Sequence, residues 1–163
     1  MRRWLAAASA LIALPAAAAD GATFSVRLMA PETALKAAQA ALAKCRGEGF
    51  QVAVAVVDRS GIVQALLRDR FASPHSIEIA QRKAQTAASF RMDTAALDRE
   101  LQPGKPTAGL RAVPSILAVA GGKPIEAAGT LLGAIGVSGA PGPQNDDLCA
   151  AAGIAAIADD LEF

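Results

Sequence analysis

The sequence predicts an α+β fold in which helices cover a mostly antiparallel sheet of about five strands. Residues 51–68 and 115–139 are apolar, rich in valine or glycine, and interrupted by turn-forming residues, which is typical of hairpin-linked strands. The segments around them place small and apolar residues at helical spacing. Because strands and helices are segregated along the chain, the predicted element order is α-β-β-α-α-β-β-β-α.

Residues 1–19 have the three parts of a secretory signal peptide. Arg2 and Arg3 form a basic start, a short apolar run follows, and the small residues Ala17 and Ala19 match a cleavage site. The alternative is a membrane anchor, which the shortness of the apolar run disfavours. We therefore expect a periplasmic or secreted protein.

The chain that would remain after cleavage has the length of one ordinary domain. It holds 144 residues, with 14 Lys and Arg against 15 Asp and Glu. This near-neutral balance offers no basic surface for nucleic acid, and no second apolar run predicts a membrane span. We expect an N-terminal extension over residues 20–30 and a single domain over residues 31–163.

A helix and a hairpin come first. The helix begins near Pro31, because the missing N–H of proline has no helical partner in a first turn. Glycines after position 46 end it, and residues 51–58 and 62–68 form two strands joined by a turn at Asp58–Gly61. The apolar face of the helix is predicted to hold Leu35, Ala38, Ala41, Leu42 and Cys45.

A second helix begins after the hairpin. Pro74 fits its first turn, and Ser73 or Ser76 is its cap. A stripe of small residues on this helix permits close packing on the sheet. The stripe consists of Ile77, Ala80, Ala84, Ala87 and Ala88.

The remaining chain predicts one short helix, three strands and a closing helix. Residues 93–101 form the short helix, and the Pro/Gly-rich residues 102–114 are typical of a lid or contact loop. Residues 115–139 hold the three strands. Residues 143–163 form the last helix, whose early Asp and Asn side chains favour its N-terminus.

Three short blocks occur in order along the chain: VVD-x-x-G (Val56 to Gly61), K-A-x-T-A (Lys83 to Ala87) and G-A-I-G-V-S-G (Gly133 to Gly139). Together they resemble the GlcG/HbpS family, a haem-binding-type domain also found at the C-terminus of PduO-type proteins. The resemblance runs from about Pro31 to the end of the chain. It implies a five-stranded antiparallel sheet with helices, assembly into homo-oligomers, and haem binding in several members.

His75 is the single histidine of the chain and stands just before the K-A-x-T-A helix. Since haem iron commonly takes an imidazole, the resemblance makes His75 the candidate axial ligand. The alternative is an exposed cap residue in a Ser-Pro loop. The second axial position would be open, or filled by water, by Met29 or Met92, or by the histidine of a second subunit, which would suit a homo-oligomer.

Four further side chains are candidates for holding a haem. Phe71 and Phe90 flank the motif helix and are the best candidates for stacking on a porphyrin. Arg68 and Arg70 end a strand nearby and are candidate partners of the propionates, because the guanidinium fork suits carboxylates. The alternative for both arginines is simple solvation.

Lys83 belongs to the family motif and has two interpretations. Its ammonium could hold an anion such as a haem propionate. It could instead cap backbone carbonyls or pair with Asp58, which suits a motif lysine inside a helix of small residues.

No motif in the sequence predicts catalysis. Ser138 lies in G-V-S-G, which is not the nucleophile elbow G-x-S-x-G, and the glycine-rich block lacks the Lys-Ser/Thr of a phosphate loop. No cluster of His, Cys and carboxylates predicts zinc. The sequence therefore favours a binding protein over an enzyme. The first hypothesis is a periplasmic haem-binding or haem-sensing protein, and the alternative is an accessory module that binds a small carboxylate or a corrinoid in an oxidation pathway.

Cys45 and Cys149 fall near the end of the first helix and the start of the last. If these helices share a face of the sheet and run antiparallel, the two cysteines lie close together. Export would permit a disulfide, whereas two buried thiols would pack equally well as small apolar groups. The sequence predicts the proximity and leaves the bond open.

Overall fold

The structure, a computed structural model, describes residues 21–161. The predicted signal peptide lies outside these residues and stays a prediction. Within them, no helix is both long and apolar enough to cross a membrane. The elements are α1 (Pro31–Gly47), β1 (Ala53–Asp58), β2 (Val63–Arg68), α2 (Pro74–Phe90), α3 (Thr94–Glu100), β3 (Gly122–Ala127), β4 (Thr130–Ser138) and α4 (Pro143–Ala155), with 3-10 helices at Ala108–Ala112 and Asp159–Leu161.

The four strands form one antiparallel sheet in the order β2-β1-β4-β3. Strand β1 is central, and its Val56 faces Ala65 of β2 on one side and Ile135 of β4 on the other. The predicted hairpin of β1 and β2 is confirmed. The closing helix ends at Ala155, earlier than predicted, and a short 3-10 helix follows it.

The sequence prediction of a further strand in residues 115–120 is wrong, so the sheet has four strands and not five. The N–H of Leu117 donates a hydrogen bond to the Thr86 hydroxyl at 3.0 Å. The Thr94 hydroxyl donates to the carbonyl of Val119 at 2.6 Å. Because side chains of α2 and α3 satisfy these backbone groups, the segment packs against the helices without pairing with a strand.

Helices α1 and α4 cover one face of the sheet, and α2 covers the other. Strand β1 alternates accordingly, with Val54 and Val56 toward α1 and α4, and Ala53 and Ala55 toward α2. The α2 layer is made almost entirely of alanines. They are Ala80, Ala84, Ala87 and Ala88 of α2 with Ala134 of β4.

The small side chains let α2 approach the sheet backbone closely, as predicted. At Gly136 of β4, a Cβ atom would lie 2.0 Å from the carbonyl oxygen of Ala80 and 2.6 Å from the nitrogen of Ala84. Only glycine fits at this crossing. This contact fixes the position of α2, the helix that contains His75 and Lys83, relative to β4.

Cys45 of α1 and Cys149 of α4 form a disulfide with a Cα–Cα distance of 5.6 Å. The predicted proximity on one face is therefore confirmed. The bond joins residues 104 apart in sequence, and in the chain-entropy treatment a loop of that size adds up to about 4–5 kcal/mol to the free energy of unfolding.

Candidate functional site on helix α2

His75 is the second residue of α2, and its side chain is exposed. Pro74 occupies the first turn, as predicted, but Ser73 caps the helix without a side-chain hydrogen bond. The Ser76 hydroxyl donates to the Ser73 carbonyl at 2.5 Å. The His75 ring makes no hydrogen bond or ion pair within residues 21–161, so both of its nitrogens are available to a ligand.

Three of the other predicted residues lie at the end of β2 and in the loop between β2 and α2. Phe71 is 79% exposed, and the side chain of Arg70 is also exposed. The guanidinium of Arg68 donates to the carbonyl of Ala72, from Nε at 2.9 Å and from Nη2 at 2.5 Å. We call the surface formed by Arg68, Arg70, Phe71 and His75 the His75 surface.

An ion pair between the buried Asp69 and the half-exposed Arg46 anchors this loop. Asp69 is 2% exposed and accepts two hydrogen bonds from Arg46 of α1, at 2.9 and 3.0 Å. The Arg46 guanidinium holds the pKa of the Asp69 carboxyl below its usual range, although desolvation opposes this shift. Asp69 lies between Arg68 and Arg70 in sequence. Its ion pair with Arg46 therefore fixes the backbone position from which both arginine side chains project.

The structure does not bring Phe90 or either methionine to His75. Phe90 ends α2, about 22 Å along the helix from His75. Met92 packs with Phe90 against the cluster around Leu97, while Met29 is buried with α1 and α4 on the opposite face of the sheet. Within one chain, Phe90 and the two methionines considered for the second axial position therefore lie away from the imidazole.

Lys83 is buried near the middle of α2, where it is 2% exposed. Its Nζ donates to the carbonyl of Val137 at 2.9 Å and to Oδ2 of Asp146 at 2.8 Å. Capping of a backbone carbonyl is confirmed, but the predicted pairing with Asp58 is wrong. The Asp58 carboxylate accepts the backbone N–H groups of Ser60 and Ile62 within its own turn.

The electrostatics of Lys83 and Asp146 are dominated by burial. Desolvation lowers the pKa of the Lys83 ammonium, and attraction to Asp146 opposes this shift. Desolvation raises the pKa of Asp146, opposed by Lys83 and by backbone N–H groups of Ala140 and Gly139. Since each charge depends on the other for its compensation, removing one would leave the other uncompensated.

A cavity of about 560 Å³ opens beside this ion pair, between α2 and the end of β4. His75, Ile79 and Arg82 stand at i, i+4 and i+7, so the wall of the cavity on α2 continues toward His75. We call this the α2 cavity. Its lining residues are Ile79, Arg82, Lys83, Leu117, Val119, Ser138, Gly139, Ala140, Gly142, Pro143 and Asp146.

Sequence reasoning did not identify three polar residues of this cavity. Ser138 was considered only as a catalytic nucleophile, and Asp146 only as a charge at a helix start. The helical spacing from His75 could have indicated Arg82. No sequence signal links Lys83 to Asp146, because 63 residues separate them.

The fold of this chain agrees with that of known proteins to which it is similar. A family model described as "Haem degrading protein HbpS-like" matches residues 29–155. The chain belongs to the HbpS-like family. The predicted resemblance to the GlcG/HbpS family is thereby confirmed, over most of the residues that the structure describes.

Relatives of this HbpS-like chain share about a third of their residues with it. It is 36% identical to Protein GlcG of Escherichia coli K12 over 89 residues, which are 55% of this chain and 65% of GlcG. The match therefore spans less than two thirds of the length of GlcG. An uncharacterized 15.0 kDa protein of Citrobacter freundii is 35% identical over 108 residues, which are 65% of this chain and 76% of that protein.

Solved structures confirm the α+β fold of the HbpS-like chain. The Streptomyces reticuli HbpS double mutant has a TM-score of 0.77 at 39% identity, covering 88% of this chain and 97% of that one. The PduOC:heme complex has a TM-score of 0.76 at 28% identity, covering 80% of this chain and 96% of the other.

Proposed function

We propose that this HbpS-like protein binds haem at the His75 surface, with the His75 imidazole as a ligand of the iron. The observation that carries the proposal is that the single imidazole of the chain is exposed, has no partner within residues 21–161, and closely follows in sequence an exposed aromatic residue and two exposed arginines. Membership of the HbpS-like family and the similarity to the PduOC:heme complex support the proposal of haem binding.

The residues present fit the chemical groups of a haem. An imidazole suits the iron, the Phe71 ring offers an apolar face for the porphyrin, and arginine forks suit the propionates. Arg68 bonds Ala72 through Nε and Nη2, which leaves further N–H groups on its guanidinium. Bound iron would supply ligand exchange and redox chemistry. The polarity of the protein surface on the side of the haem opposite His75 would set which of these dominates.

The His75 surface is open, and this favours a site shared between copies of the chain. Phe71 and His75 both protrude from the start of α2. One chain offers one histidine, so a second copy would supply the opposite face and bury the porphyrin. We include homo-oligomer formation and a periplasmic location in the proposal, the latter because of the signal-peptide pattern in residues 1–19.

Titration of the purified mature protein with hemin tests the proposal. We expect a shifted Soret band, and we expect His75→Ala to remove the shift or lower the affinity at least about tenfold, since it deletes the iron ligand. Phe71→Ala should also weaken binding. Phe90→Ala is the matched control, because this ring lies at the far end of α2, and its Soret band should be that of the parent.

An unchanged spectrum and affinity in His75→Ala would contradict the assignment of His75. The alternative function, binding of a small carboxylate or a corrinoid, separates from haem binding in a thermal-shift assay. A ligand that binds only the folded state raises its melting temperature, and the stabilisation grows with the logarithm of the ligand excess over Kd. Stabilisation by a corrinoid or a carboxylate, with none by hemin, would favour the alternative.

A further inference from the structure

We propose that the α2 cavity is a binding site for a small carboxylate with an apolar body, distinct from the His75 surface and independent of haem. The site joins two cationic side chains, an unpaired hydroxyl and an apolar wall. The cationic side chains and the hydroxyl would bind the carboxylate of the ligand, and the apolar wall would contact its body.

The hydroxyl of Ser138 provides the first argument. Ser138 is 6% exposed and lies at the end of β4. Because Gly136 faces α2, Ser138, two residues further along the strand, faces α2 as well and lines the cavity. Its hydroxyl makes no hydrogen bond within residues 21–161. Since no enclosed side-chain oxygen of these residues lacks a partner, the hydroxyl reaches the open cavity and is available to donate to a bound oxygen.

The charge of the lining provides the second argument. Among the lining residues, Arg82 and Lys83 are cationic and Asp146 is anionic. Arg82 also makes a long ion pair, at 3.7 Å, with the exposed carboxylate of Glu78 one turn earlier. The Lys83 ammonium has three N–H groups, and two of them are used by Val137 and Asp146. A carboxylate in the cavity would accept the remaining N–H of Lys83 and would compete with the exposed Glu78 for Arg82. A cation would meet two like charges in a partly desolvated cavity, which is unfavourable.

The apolar wall provides the third argument. The apolar part of the lining consists of Ile79 of α2, Leu117 and Val119 of the segment that follows the contact loop, and Ala140 and Pro143 near the start of α4. The cavity of about 560 Å³ therefore accepts an apolar group beyond the carboxylate. Gly142 and Pro143 are exposed at its rim, so a ligand can enter from solvent.

Calorimetric titration with hexanoate tests the site, with hexanamide as the uncharged probe of similar shape. We expect one hexanoate per chain and much weaker binding of hexanamide. Ser138→Ala should weaken hexanoate at least about tenfold, the loss expected for a hydrogen bond to a charged group. Arg82→Gln should also weaken hexanoate binding, because the lining loses one of its two cationic donors.

Two control variants test whether the effect on hexanoate binding is specific to the α2 cavity. Ser115→Ala removes an exposed serine that lines a separate cavity of about 460 Å³, and it should bind hexanoate like the parent. His75→Ala should also bind hexanoate normally, so failure of haem binding and failure of this site are distinguishable. Amide shifts in an NMR titration should centre on residues 138–140.

Three results would overturn the proposal. The first is absence of hexanoate binding, and the second is equal affinity for hexanoate and hexanamide. The third is a Ser138→Ala variant that binds like the parent. Melting temperatures of both serine variants show whether they are folded, and Arg82→Gln, on the surface of α2, gives a second answer if Ser138→Ala is not.

Discussion

The ammonium of Lys83 lies 2.8 Å from the carboxylate of Asp146, and both side chains are buried. The contact joins α2 on one face of the sheet to the start of α4, which packs on the other face. It also forms part of the lining of the α2 cavity. A single ion pair thus links the motif helix, the end of β4 and the closing helix.

Replacing Lys83 by Met is expected to lower the free energy of unfolding by about 3–5 kcal/mol, because Asp146 would remain buried without its partner. Chemical denaturation at neutral pH measures this. The control is Lys36→Met, which breaks the exposed Lys36–Asp160 pair and should cost no more than about 1 kcal/mol. Equal effects of the two substitutions would contradict the importance of the buried pair.

Replacing Gly136 by Ala is expected to lower the free energy of unfolding by about 3 kcal/mol, since the new Cβ would meet backbone atoms of α2 that have no freedom to move aside. Thermal and denaturant unfolding measure the loss. Gly47→Ala is the matched control: it ends α1 with open space around it and should be neutral or stabilising by up to about 1 kcal/mol. A neutral Gly136→Ala would show that α2 sits further from β4.

We expect the free energy of unfolding to fall in acid because of Asp69. Its pKa in the folded protein is depressed, chiefly by the hydrogen bonds from Arg46, so it stabilises the fold above the ordinary Asp pKa of about 3.9. This contribution is lost as pH falls below that value and through the folded pKa. The free energy of unfolding, measured from pH 6 down to about pH 2, should fall less steeply in Asp69→Asn than in the parent. Parallel curves would contradict the assignment.

The Cys45–Cys149 bond is expected to contribute about 2–5 kcal/mol to the free energy of unfolding. Denaturation with and without a reductant should show this difference, and the Cys45→Ser/Cys149→Ser double variant should show none. Mass spectrometry of unreduced, alkylated protein should find no alkylated cysteine. Two alkylations per chain would exclude the bond.

The sequence predicted the helices α1 to α4, the hairpin of β1 and β2, and the strands β3 and β4, because each has a clear local signal. Valine runs, small-residue stripes, Pro at helix starts and Gly at turns act within a few residues. The same local signals led to the wrong prediction of a strand at residues 115–120. Their composition is typical of a strand, but hydroxyls of Thr86 and Thr94, distant in sequence, satisfy their backbone.

The sequence by itself determined the family, the single imidazole at the start of α2, and the closeness of the two cysteines. Tertiary structure alone decided that Lys83 pairs with Asp146 and not Asp58, that Phe90 is far from Phe71, and that Ser138 lines a cavity. The physical reason is that these contacts join residues from separate elements. Periodicity fixes which face of an element is apolar, whereas the partner of a buried charge depends on how the packed layers align.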